Sequence, residues 1–196
     1  DGLVDCVRSF GVTTVHTGHA PGELISGQTF IAKTTGNTAD EAAIVEARAV
    51  TVTLSSSAQK TGGQSPGTRG KMIAMLREQF IKAQEYQRKL DGATRDDGTI
   101  DESKLPERDL DMETLCEVLR RERVVHHHTH RHDDILTVLR LKEEFGFRVV
   151  LHHVSEAHRV ADEIAAAGVP VSLIVIDSPG GKLEAQYTDF GNAPAL

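Results

Sequence analysis

Aromatic side chains are scarce in this sequence, 4% of 196 residues with no tryptophan, and basic residues are outnumbered, 22 against 29 acidic ones, for a formal charge of −7. Without basic stripes or aromatics interleaved among them, the means of neutralising phosphates and stacking on bases are missing, and nucleic acid is a poor partner. Cysteine is nearly absent. Cys6 and Cys116 are too few for a disulfide framework, and both sit among apolar residues, so they read as reduced core positions. No apolar run approaches the roughly 20 residues a membrane helix needs, so no membrane partner is expected. No signal peptide is visible either, which reads as a cytoplasmic protein. Asp1 stands where an initiator methionine would, as in a processed product or a piece of a longer protein. The charged share (26%) and hydrophobic share (39%) are those of an ordinary soluble protein, and the length fits one domain over 1–196.

What is present is an alternation of β-type and α-type segments. "GVTTV" (11–15) is rich in β-branched residues and reads as a strand, with a Gly- and Pro-containing turn over 16–22. "TFIAKTT" (29–35) reads as a second strand, 39–49 as a short helix and "AVTVTL" (49–54) as a third strand. The serines and glycines of "SSSAQKTGGQSPGT" (55–68) mark a long loop. Met72, Ile73, Leu76, Phe80 and Ala83 recur at helical spacing and predict an amphipathic helix over 70–90. A polar, acidic linker over 91–109 leads to a helix built on Met112, Leu115, Cys116 and Leu119, with Asp109 or Asp111 near its start.

The second half is more regular. "RVVHHH" (123–128) reads as a strand feeding a helix with Asp133 and Asp134 in its first turn, Ile135, Val138, Leu139 and the Lys142 stem inward, and Gly146 as a left-handed cap. "FRVVLHH" (147–153) is a strand again. Ser155 is placed to cap a helix carrying Ala157, Val160, Ala161 and Ile164 and ending at Gly168, and "VPVSLIVID" (169–177) is a near-continuously apolar strand. This βαβαβ run predicts a parallel sheet with helices packed on it.

The segment "VVHHHTHRHDDI" (124–135) places five histidines within seven positions. A purification tag is excluded, because the run lies inside the chain between periodic segments. In parallel α/β folds, functional side chains collect at the carboxyl ends of strands. His16 and His19, the run ending at His130, His152 and His153, and Asp177 all follow strands and fall on one rim. Alternate residues of a strand share a face, so His126, His128 and His130 form a row while His127 faces the other way. Neutral imidazole is the commonest nitrogen ligand of zinc, so a divalent metal, Zn²⁺ first, is the expected cofactor.

"HTHRHDDI" (128–135), "EEFGFRVVLHHVSEAHRVADEIAAAGVPV" (143–171) and "DSPGGKLEA" (177–185) resemble the metal-dependent amidohydrolase superfamily, specifically its imidazolonepropionase-like members. "GVTTVHTGHAPGELISGQTFIAKT" (11–34) and "GGQSPGTRGKM" (62–72) are similar to the same enzymes, so the resemblance covers most of the chain, least at 96–102. It implies an α/β fold of the (β/α)₈ TIM-barrel type and hydrolysis of C–N bonds in amides or cyclic amides by metal-activated water. His128 matches the family's fifth-strand histidine and His153 its sixth-strand histidine, both metal ligands or neighbours of the metal. Asp177 and Lys182 match a loop after the seventh strand. The family's first-strand His-x-His and eighth-strand aspartate have no counterpart here, which implies a barrel without its first and last strands, incomplete in this chain. Near the fourth strand, where relatives carry a lysine or glutamate ligand, Thr51 and Ser56 stand nearest, and hydroxyls substitute poorly for a bridging carboxylate.

The site expectation is therefore His128 and His153 on the metal, with His130, His16, His19, Asp134 and Asp177 as substrate or supporting contacts and no catalytic residue assigned. Each has a plainer reading. His16 and His19 are exposed turn residues, Asp133 and Asp134 complement the helix dipole, and His126 is an interior polar group. His127, His132 and His158 face helices or solvent, and "SPGGK" (178–182) is a turn that lacks the full phosphate-loop spacing. Two functions of different class follow: a hydrolase acting on a small-molecule amide, or a non-catalytic histidine-rich metal-binding protein.

Overall fold

The computed structural model describes residues 2–18, 21–60, 62–174, 183–188 and 190–196. His19, Asp177, Lys182 and the "SPGGK" turn lie outside the described residues. Six strands form one sheet in sequence order: β1 (Thr14–Gly18), β2 (Ile25–Lys33), β3 (Ala43–Thr53), β4 (Val124–Thr129), β5 (Arg148–His153) and β6 (Val171–Leu173). β2 pairs antiparallel with β1 and with β3, so β1 runs in the same sense as β3 to β6, which are mutually parallel. The fold class is α/β, and β1 and β6 are the two edges of the sheet among the described residues, so the closed eight-stranded ring is not formed there.

The helices are α1 (Gly2–Ser9), α2 (Ala39–Ala42), α3 (Ser56–Gln59), α4 (Arg69–Ala93), α5 (Leu110–Leu119), α6 (His132–Phe145) and α7 (Ala161–Ala166). Local chemistry sets their ends. Thr68 Oγ1 accepts the Lys71 amide at the start of α4, Asp109 caps α5 through the amides of Asp111 and Met112, and Gly146 closes α6 at φ 74°.

Strand alternation sorts the sheet into two faces. Val50, Val52, Val125, His127, Val149 and Leu151 fall into register across β3, β4 and β5 and join Met72, Leu76, Phe80, Leu115, Ile135 and Val138 in a buried apolar layer. The residues between them, Thr51, Thr53, His126, His128 and His152, line the opposite face.

Several expectations shift. The first strand begins at Thr14, three residues later than the strand expected from Gly11, and His16 lies inside β1 rather than in the following turn. The 39–49 helix stops at Ala42, and from there the chain is strand. Leu141 rather than Leu139 is among the buried residues of α6. Ser155 caps no helix; a 3₁₀ turn (Ala157–Arg159) precedes the short α7. Cys116 is buried, but Cys6 is exposed on α1, a helix with no buried residue.

Candidate metal centre

β4 and β5 are paired with His128 opposite His152 and Thr129 opposite His153. Since alternate residues share a face, His126 and His128 project together and His127 projects into the apolar layer, where it is 1% exposed and burial pushes its pKa down to about 3. It is a neutral core residue.

From the end of β4, just past it and from the end of β5, the imidazoles of His128, His130 and His153 converge. His128 and His130 are buried and His153 half-buried, and each offers a ring nitrogen within 4.8 Å of the others. Ring centroids lie 4.3 Å apart for His128 and His153, 5.0 Å for His128 and His130 and 5.1 Å for His130 and His153. The trio fits a metal ion. Tetrahedral zinc with nitrogen ligands at about 2.0–2.1 Å holds them about 3.4 Å apart, so the three rings would draw closer on an ion. Ser155 Oγ sits 2.8 Å from His130 Nδ1, which orients that ring.

Beside this trio lies a second histidine group. His152 Nε2 is 3.1 Å from His126 Nδ1, the His16 ring stands edge-on to His126 at 4.4 Å, and His16 Nε2 is 2.7 Å from Thr29 Oγ1. Burial, then His152 and His16, push the His126 pKa down to about 4; burial and then His16 lower that of His152; burial and then Arg48 lower that of His16. These three rings are uncharged at neutral pH, and so are able to accept as well as donate. With His128, His153 and Thr51 they line a cleft of 160 Å³. A larger cleft of 650 Å³ lies elsewhere, between the start of β2 and helices α4 and α5, and no histidine lines it.

Asp134, expected on the helix dipole or on an imidazole, is buried against α4, where both its oxygens accept from Arg69 Nε at 3.1 and 3.2 Å. The carboxylate that does meet an imidazole is one the sequence did not single out. Glu156 Oε2 accepts from the His132 amide and lies 2.5 Å from His132 Nδ1. Burial raises the pKa of Glu156, but these contacts, aided by Arg159, leave it below the ordinary value. Ser56, expected near a ligand position, donates its amide and its hydroxyl to Glu184 Oε2, both at 2.7 Å. The pairing of His126 with His152 could have been anticipated from strand alternation; Ser155 was read only as a helix cap, and Glu156 and Glu184 carried no sequence signal.

No protein-family model matches this sequence, and no curated protein does. A solved structure of an amidohydrolase from Thermotoga maritima MSB8 is similar over 100% of this chain, with TM-score 0.92 and 27% identity. The match covers 51% of that protein, so this chain spans about half its length. The shared part is a curled, six-stranded half-barrel with its helices, and the histidine trio could bind a metal.

Proposed function

We propose that this chain carries the metal-binding half of a metal-dependent hydrolase that cleaves amide or cyclic-amide C–N bonds, built on an incomplete (β/α)₈ barrel of the imidazolonepropionase-like kind. The observation that carries the reading is the convergence of His128, His130 and His153 from two neighbouring parallel strands. His128 and His153 would hold the ion, with His130 as third ligand, each through one ring nitrogen. A divalent metal bound there, zinc by its preference for nitrogen, polarises a carbonyl and lowers the pKa of water to about 7. The protein's part is positional: Ser155 fixes the His130 ring, and the uncharged His16, His126 and His152 offer hydrogen bonds to a small amide group in the cleft. His19 and Asp177 are proposed as further substrate contacts, from their places after strands.

A second reading, metal capture without turnover, is favoured by one feature. Among the described residues, the group able to hold a metal contains three imidazoles and no carboxylate. Zinc and cobalt titration of the purified chain tests the binding shared by both readings. One ion per chain is expected, with at least tenfold weaker binding in His128→Ala and in His153→Ala; wild-type affinity in both variants would refute the site. Turnover of small cyclic amides by the metal-loaded chain then separates hydrolase from binder.

A further inference from the structure

His152 and His153 are consecutive, yet both imidazoles lie on the cleft side, one against His126 and the other against His128 and His130. A regular strand would send them to opposite faces. The backbone resolves the conflict by leaving the β region: φ is +74° at His153 and +36° at Val154. Left-handed geometry is uncommon for any residue with a Cβ and a genuine outlier for a β-branched one. Such strain persists only where the surroundings over-determine it.

What holds the turn can be named. The Val154 amide donates to the Thr129 carbonyl at 2.9 Å. The Val154 carbonyl accepts the Ala157 amide at 2.9 Å and, also at 2.9 Å, the side-chain Nδ2 of Asn192. Asn192 is fully buried, and its Oδ1 accepts the His158 amide at 2.8 Å. The carboxamide suits the place because its Nδ2 donates to one of these groups while its Oδ1 accepts from the other, which a carboxylate of the same shape cannot do.

We infer that Asn192 is a positioning residue for the metal site: by clamping the Val154 carbonyl it locks the left-handed turn that presents the His153 imidazole to His128 and His130. The inference rests on the metal-binding reading above, and it assigns to residues 190–192 a task at a strand end nearly forty positions earlier.

The test reads zinc affinity by competition with a chromophoric chelator and the visible absorption of the cobalt-loaded chain. Asn192→Ala is expected to weaken zinc binding about 10- to 100-fold, the usual range for groups that orient a ligand, and to move the cobalt spectrum toward that of His153→Ala. Asn192→Asp should fail to rescue, because a carboxylate accepts from His158 but cannot donate to Val154. In a Val154→Gly background, where positive φ carries no Cβ penalty, Asn192→Ala should cost clearly less affinity. Wild-type affinity and spectrum in Asn192→Ala overturn the inference, and so does an undiminished loss in the glycine background, which would mark a general structural role. If the parent chain takes up no metal, the proposed function fails. The His153 ring ¹H–¹⁵N signals of the metal-free protein then decide: a shift in Asn192→Ala supports the clamp, and an unchanged ring refutes it.

Discussion

Burial and pairing pull the Asp134 carboxyl in opposite directions. Burial raises its pKa, Arg69 lowers it, and the balance stands at about 6. The reason burial wins is geometric: Arg69 offers one N–H, its Nε, shared between both oxygens, rather than the two-pronged fork that makes arginine–carboxylate pairs strong. A folded-state pKa above the unfolded one means that the folded chain binds more protons between about 4 and 6. The favourable contribution is complete below that window and disappears as pH rises through it. Asp134→Asn removes this dependence. The stability of the variant relative to wild type, from urea unfolding, should therefore rise by about 2 kcal/mol between pH 4 and pH 7. Taking the difference cancels groups of opposite sign such as Glu156, whose lowered pKa destabilises the fold as pH falls.

Among elements, α4 was the most legible, because its stripe of Met72, Leu76, Phe80 and Ala83 is the face the structure buries. Phe80 stacks on Phe145 at 5.1 Å and on Phe147 at 5.0 Å, joining α4 to the end of α6 and the entry to β5. Phe80→Ala should cost about 3–5 kcal/mol in urea or thermal unfolding, since the rigid sheet beneath it cannot collapse into the space. β3 shows where local signals mislead. The alanines, Glu46 and Arg48 of its first half favour helix. The same residues alternate, with Ile44, Glu46 and Arg48 outward and Val45, Ala47 and Ala49 inward, and their pairing with β2 decides in favour of strand. Cys6 was misread for the converse reason: α1 has an apolar pattern, but nothing among the described residues buries it.

At the scale of the molecule, the rim was readable and the site on it only in part. Parallel strands send their ends to one side, so the histidine clusters could be located from sequence. Which imidazoles meet could not be, since that depends on two positive φ angles and on partners far along the chain. Residues 183–192 supply two such partners: Glu184 ties to Ser56 past β3, and Asn192 ties to Val154 past β5. Glu184→Ala strips the Ser56 amide and hydroxyl of their acceptor and should lower stability by about 1–3 kcal/mol, with faster proteolytic cleavage within 183–196. Unchanged cleavage would show that this tie does not hold the segment.

The pairing of Thr129 with His153 has a practical consequence for anyone refolding the chain. Were β4 to slide by a single residue against β5, helix and strand content would be preserved, but the parity of every side chain on β4 would invert, moving His128 into the apolar layer and His127 onto the cleft face. Circular dichroism would pass such a sample; cobalt uptake would reject it, so ion binding doubles as an assay for correct alignment of the strands.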